Sequence, residues 1–475
     1  MLLCAQGEWY FDVAAQALYL WPNSTSAGTV GALRAAVLET VVVVNGTNAA
    51  PVTNVSFEGI GFGETAPTFL MPYERPISGD WAIHRGGTVH VRHAVGVSFT
   101  RGNWSRTGGN ALLFSHGAKN SRCAGSTTVA IWRSLSCDWR AWSDGVSRVS
   151  CCSVSDSEFF STGDSAVVAY GAIDFETGSA LGTYTRGYPS GLTIQRNLMH
   201  EIGVWGKQTS CFFQGVSGRN DFVDNVCMNG PRAMVNINDG FLGLSRLEGN
   251  VLFNGCRESD DHGNFNSWDR TPMLHLSDDS WGEQSWTPGW STVTRNLLVN
   301  SYGAGHGIDH DDGSMMWQDV GNVVAFSHAC KGNYGSDRNC SSNLVIAPEL
   351  KDAYASKASA SAPCGEESDN GRGSTFADKY FQYNTCVLIA EEAAEAYLFQ
   401  SCSTDGTGAH MDGTVWGTSG NRFLVQKGAE VYIPCGGKKI PLHEWQTKYH
   451  QDRGATVGAF PTAAELTEMA MAVLK

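Results

Sequence analysis

Six segments of the chain share one pattern: LTIQRNLMHEIG, NDFVDNVCMNGP, SRLEGNVLFNGC, STVTRNLLVNSYG, QDVGNVVAFSHA and NCSSNLVIAPE. Each has a polar approach, an asparagine and a short apolar run. The asparagines are Asn197, Asn225, Asn250, Asn296, Asn322 and Asn343, spaced by 28, 25, 46, 26 and 21 residues. A period in the twenties with one short strand per repeat means a solenoid of strands, because no single repeat can bury its own apolar face. Stacking the repeats builds parallel sheets at the ordinary interstrand spacing of about 4.8 Å. Asparagine suits a repeated corner, since it tolerates unusual backbone angles and bonds the backbone of its neighbours. Earlier segments such as VTNVSFEGIGF, VHVRHAVGVSFTRG, NALLFSHG and CSVSDSEFFSTG fit the same scheme. The expected fold is all-β: a single-stranded right-handed parallel β-helix of about ten coils over residues 1–460.

Three segments break the rhythm. Residues 119–150 show no repeat and are expected to lie outside the coils as an irregular insertion. Residues 351–376, rich in Ala, Ser and Gly, are expected to form a mobile loop. Residues 257–290 form a long excursion with four tryptophans. The C-terminal residues 461–475 read as a short helix opened by Thr462, with Leu466, Met469, Ala470 and Val473 on one face, placed to close the end of the solenoid.

The formal net charge is −14, and the chain has no blocks of Lys or Arg, which argues against nucleic acid and anionic membrane as partners. Charged residues make up only 17% and aromatics 11%, a balance suited to neutral, hydroxyl-rich ligands. No apolar run is long enough to span a membrane. The fourteen cysteines form no CxxC pair, so disulfides in an exported protein are the better reading than metal knuckles. The start of the chain lacks a signal peptide, so the expectation is a secreted protein whose leader is missing from this sequence. A monomer is expected.

Residues 305–314, GHGIDHDDGS, crowd three carboxylates into four positions, and like charges at contact raise one another's pKa. The stretch reads as a metal loop, half of an acid/base pair or a run of turn aspartates. Offsets from the repeat asparagines decide what shares its face. Asp239 lies 14 residues after Asn225, Asp261 lies 11 after Asn250, and Asp309 and Asp311 lie 13 and 15 after Asn296. On consecutive coils these offsets stack the carboxylates on one face. Carboxylates one coil apart would stand about 5 Å from each other, and two coils apart about 10 Å, which brackets both glycosidase geometries.

Arg232, Asn238, His262, Asn266, Trp268, Asp269, Arg270, His310 and Asp312 surround this column. Arginine and amides suit sugar hydroxyls or a uronate, and tryptophan offers a flat apolar surface with an N–H. Each also has a plainer use. Asp239-Gly240 and Asp312-Gly313 are ordinary turn dipeptides, Arg270 can pair with Asp269, and His262 and His310 suit packing as well as chemistry. Calcium is the rival use of the carboxylates, but DHDDGS lacks the twelve-residue loop with a terminal Glu, so no metal ligand or other cofactor is assigned.

The segments GEWYFDVAAQALYLWP, ETAPTFL, GDWAIHR, HEIGVWGKQTSCFFQ, NGPRAMVNINDGF, CRESDDHGNFNSWDR and IDHDDGS together resemble large right-handed β-helix proteins similar to glycoside hydrolase family 141, in the pectin-lyase-like superfamily. The resemblance runs from about residue 7 to the C-terminus, outside 119–150. It implies a polysaccharide or oligosaccharide partner and, first among the activities, glycoside hydrolysis, with Asp239, Asp261, Asp309 and Asp311 as the pool of catalytic carboxyls. A non-catalytic carbohydrate-binding or cell-surface β-helix is the alternative. A uronate lyase or epimerase comes third, because the expected column is acidic and a lyase needs a base and cations.

Overall fold

The computed structural model describes residues 5–22, 34–68, 71, 83–129, 135–138, 152–171, 189–238, 243–259, 261–268, 274–278, 284–302, 305–333, 335, 337–347, 364–368, 379–389, 393–399 and 416–475. The chain divides into two units, Met1–Val37 and Leu38–Lys475. In the first, Trp9–Asp12 pairs antiparallel with Ala17–Leu20 as a hairpin.

The second unit is a right-handed parallel β-helix. Its described strands form three long sheets of twelve, thirteen and fifteen strands. Each coil places one strand in each sheet. Thr193–Gln195, Leu198–His200 and Phe212–Gly215 form one such coil, and Asp221–Val223, Val226–Met228 and Val235–Asn238 stack on it in register. Side chains alternate along each strand. The inward set forms one continuous core, with Phe57 and Phe99 stacked at 4.9 Å and Phe212 and Phe222 at 5.5 Å between ring centres.

The expected asparagines do climb the solenoid at one corner. The Oδ1 of Asn225 accepts from the backbone N–H of Asn197 and from its Nδ2, both at 3.0 Å. The same pair of bonds recurs through Asn250, Asn296, Asn322, Asn343, Asn384 and Asn421, and Asp452 is the last acceptor. One detail differs from expectation. The left-handed backbone belongs to the residue before each asparagine: Arg196, Asp224, Gly249, Arg295, Gly321, Ser342, Tyr383 and Gly420 all have φ between 52° and 68°. The asparagine itself uses its amide to satisfy backbone groups that a buried corner would leave orphaned.

Residues 119–150 are not simply an insertion. Arg122–Ala124 and Thr127–Val129 pair on both sides with coil strands, and Leu135–Asp138 pairs with Leu112–Ser115 and Val167–Tyr170. Here Ser126 and Ser157 hold the corner positions, linked by a 3.1 Å bond from Ser126 N to Ser157 Oγ. Residues 139–151 lie outside the described residues. Within 351–376, Gly365–Ser368 is a strand between Lys331–Asn333 and Tyr397–Phe399, and the remainder outside 364–368 is not described. The 257–290 excursion is confined to the part after Trp268: Gly263–Trp268 is a coil strand, and Leu274–Asp278 pairs with Gln284–Pro288 as a hairpin. Asn250 and Asn296 are therefore consecutive corners in spite of their long spacing.

The chain has two described helices. The short helix α1, Leu442–Thr447, supplies Leu442 and Trp445 to the main core. The C-terminal helix, α2, spans Ala463–Leu474 and is opened by Thr462 in a capping box with Glu465. It does not close the solenoid. Leu466, Met469, Ala470 and Val473 lie against Val323, Leu344, Val387 and Leu424, on the outer face of the thirteen-stranded sheet. Cys211–Cys227, Cys330–Cys340 and Cys364–Cys386 are disulfides, and Cys123 and Cys256 are buried free thiols. Among the described residues no helix is long and apolar enough to cross a membrane.

Candidate active site

The face in question is the outer side of the fifteen-stranded sheet, where Val235–Asn238, Gly263–Trp268, His306–Asp311 and Lys331–Asn333 are consecutive strands. The stretch GHGIDHDDGS is mostly strand, with a turn only after Asp311. Alternation settles the direction of each side chain. Ile308 belongs to the core, so Asp309 and Asp311 share the outer face. Phe265 belongs to the core, so Asn266 and Trp268 stand outward, in register with Asp309 and Asp311. Asn236 and Asn238 continue the same two columns one coil earlier, and Lys331 stands opposite Asp309 one coil later.

Lys331 ties the carboxyls together. Its Nζ lies 2.8 Å from Asp309 Oδ1 and 3.1 Å from Asp311 Oδ1. Asn333 Nδ2 donates to Asp311 Oδ1 at 3.1 Å and to Asp312 Oδ1 at 2.8 Å. Asp309 is fully buried, and its Oδ2 meets no hydrogen-bond donor among the described residues. Burial, only partly offset by Lys331, pushes its carboxyl up to about 7. Burial also acts on Asp311, but Lys331 and the bonds from Asn333 and the Asp312 backbone outweigh it and hold Asp311 well below the usual carboxylate range. Lys331 loses hydration on burial, yet the two aspartates keep it charged well above the usual lysine range. Two carboxyls two residues apart on one strand are thus driven in opposite directions, the pattern that separates acid from base in enzymes.

The turn before Gly263 supplies the rest. Arg232 Nη2 donates to Asp261 Oδ2 at 3.3 Å and to His262 Nε2 at 2.7 Å. Asp261, His262 and Asp311 each bring one donor atom within 4.8 Å of the others. Asp261 is the open member, with 57% of its side chain exposed, and Asp311 retains 18%. Behind them, His306 and His328 face each other with ring centres 5.7 Å apart. Burial keeps both neutral, pulling His328 down to about 4 and His306 well below its ordinary value.

Of the residues expected from sequence, Arg232, Asp261, His262, Asp309, Asp311 and Asp312 converge on this face. Asn238 and Asn266 also lie there but are buried in an amide chain: Asn266 Nδ2 donates to Asn236 Oδ1, and Asn236 Nδ2 to Asn238 Oδ1, each at 2.6 Å. Trp268 is 9% exposed, so little of its ring is open. Asp239, Asp269 and Arg270 lie outside the described residues.

His310 departs from expectation. It points inward, between Asp309 and Asp311 in sequence but on the opposite side of the strand. Its Nε2 meets Asp319 Oδ2 at 2.7 Å and its Nδ1 meets Ser267 Oγ at 2.7 Å, with Phe265 and Trp317 packed around the ring. Asp319 sits at an inward position between Val293 and Cys340. A carboxylate there needs a hydrogen-bonded partner, and His310 is that partner. Sequence reasoning missed Lys331 and Asn333. Their signal was a lysine and an amide on alternate positions one coil after Asp309 and Asp311.

No family model matches the chain, and no curated protein matches it. Solved structures do. A glycoside hydrolase is 15% identical over 73% of this chain and 56% of its own length, with a TM-score of 0.44. The chain thus spans little more than half of that protein. The tailspike protein of E. coli bacteriophage HK620, in complex with a pentasaccharide, is 10% identical over 86% of this chain and 60% of its own, with a TM-score of 0.39. The A-module of an Azotobacter vinelandii mannuronan C-5 epimerase is 11% identical over 55% of this chain and 74% of its own, with a TM-score of 0.35.

Proposed function

We propose that the protein is an extracellular glycoside hydrolase acting on a complex polysaccharide, with Asp311 and Asp261 as its reacting carboxyls. One observation carries this reading: an ionised carboxylate held in place by Lys331 and Asn333 stands within 4.8 Å, donor atom to donor atom, of the more exposed carboxyl of Asp261. That upper bound lies just under the roughly 5–5.5 Å of retaining glycosidases and well under the roughly 6.5–9.5 Å of inverting ones. Asp311 is the nucleophile, and Asp261, at the open rim, is the proton donor. Asp309 lies beneath them and governs how Lys331 divides its charge.

The arrangement favours a hydrolase over a uronate lyase. Lys331 is held protonated between two carboxyls, so it is no base, and its charge is already compensated. A polysaccharide panel with a reducing-end readout tests the reading. Release of reducing ends with retention of anomeric configuration is expected from one class of glycan. Asp311→Asn and Asp261→Asn should each lower the rate by roughly 10²–10⁴-fold while leaving the melting temperature near that of the parent. Glycan retention in affinity electrophoresis without any released ends would identify a binding protein instead. Unsaturated product ends would identify a lyase.

A further inference from the structure

Asp261, His262 and Asp311 have the spacing of a three-ligand metal site. The hydrogen bonding of His262 argues for another use. Arg232 Nη2 lies 2.7 Å from His262 Nε2. A guanidinium has donors only, so Nε2 must be the acceptor, and in the neutral ring the proton then sits on Nδ1. The ring is neutral at ordinary pH, because burial and Arg232 hold His262 down to about 4. Nδ1 is buried and meets no hydrogen-bond partner among the described residues; the nearest carboxylate atom recorded beside it, Asp261 Oδ1, is 3.6 Å away. A nitrogen that carries a proton has no lone pair for a metal. The charges agree: the carboxylate of Asp311 is already faced by the cation of Lys331.

We infer that Arg232 is a positioning residue that locks His262 in its Nδ1–H tautomer, and that this N–H, in the cluster that His262 forms with Asp261 and the Asp311 carboxylate, binds a substrate hydroxyl in the place a metal ion would take. A hydroxyl accepts and donates at once, so it satisfies the N–H and the carboxylate together. The hydroxyl half of the inference rests on the sugar substrate proposed above; the tautomer half does not.

Two measurements on the full chain separate these halves. The first is nitrogen NMR of histidine-labelled protein at neutral pH, with the His262→Gln spectrum to assign the signals. A protonated Nδ1 and a bare Nε2 are expected for His262, and in Arg232→Met the ring should become a mixture of tautomers. The second is calorimetric titration with Zn²⁺. The parent should show no site that His262→Gln removes, whereas Arg232→Met should gain one. A protonated Nε2 in the parent, or a Zn²⁺ site there that His262→Gln abolishes, would overturn the tautomer lock. If Arg232→Met does not fold, the parent and His262→Gln measurements decide alone. On the glycan found by the panel, His262→Phe should raise KM about three- to tenfold, the loss of one hydrogen bond, while His262→Gln retains a donor and most of the affinity. Equal KM values for the parent and His262→Phe would remove the hydroxyl contact.

Discussion

Asp309 is the residue whose chemistry the fold alters most, and its consequence is a pH dependence of known sign. Its carboxyl is raised from 3.8 to about 7, chiefly by burial. The folded chain therefore binds this proton more tightly than the unfolded chain does. The stabilisation is complete below the unfolded value and is lost as the pH rises through about 7. An asparagine in its place would keep the shape and carry no charge. Asp309→Asn should accordingly melt close to the parent near pH 4 and above it near pH 8, with a gap on the order of a few kcal/mol when converted from the shift. Parallel melting curves across that range would show that the buried carboxyl is not the titrating group. If Asp261 and Asp311 perform the chemistry, the same variant keeps most activity and loses only an inflection near neutrality. At this scale the sequence was half legible. Aspartates crowded between glycines announced a charged face, but nothing local told Asp309 from His310. Only strand alternation, invisible while the stretch read as a turn, sends one outward and the other into the core. Lys331 escaped notice because its partners are a full coil away in sequence.

The corner ladder sets the behaviour of the elements. Every asparagine in it is neutral, and from Asn225 onward each Oδ1 accepts two bonds from the coil before. The last rung is Asp452, which accepts from the backbone N–H of Asn421 at 3.2 Å and from its Nδ2 at 2.9 Å. Burial pushes this carboxyl up to about 6, against the pull of the two bonds from Asn421. The bond pattern needs an acceptor there and does not need a charge. Asp452→Asn should therefore stabilise the chain above about pH 6, by up to roughly 3 kcal/mol, and do nothing near pH 4. Urea unfolding at the two ends of that range measures it, and equal midpoints for variant and parent near pH 8 would contradict the argument. The ladder also explains what the sequence disclosed of the fold. The period was visible from Asn197 to Asn343 and went unread at Asn384 and Asn421, where the coils lengthen to 41 and 37 residues. It vanished where serine takes over, at Ser126 and Ser157, and the coil between them was consequently misread as part of an insertion. A serine hydroxyl does the same bonding with a shorter reach, but serine is too common elsewhere to mark a period.

At the scale of the whole molecule, two apolar surfaces are kept apart by a single sheet. Val324, Val345, Cys386 and Phe423 face the main core, while Val323, Leu344, Val387 and Leu424 face out. The outward four would form a continuous apolar stripe, because stacked coils repeat the same side of every strand. Helix α2 lies on that stripe. The amphipathic pattern of 463–474 predicted an apolar face correctly but not its destination, since periodicity describes the helix and not the surface that receives it. The prediction follows from this separation. Removing residues 461–475 leaves the inward core and the corner ladder intact, so the strand signal in circular dichroism and a cooperative melt should persist. The uncovered stripe should then bring molecules together, which size-exclusion chromatography would record as concentration-dependent association absent from the full chain. Thr462→Ala, which removes the side-chain cap and should cost about 1 kcal/mol of helix stability, would move the chain part of the way in the same direction. Loss of all strand structure on truncation would mean that α2 supports the solenoid itself. An unchanged elution would mean that the stripe needs no cover. Either outcome would refute the assignment of α2 as a lid on the outer face, whereas association with the strands preserved is what two cores divided by one sheet require.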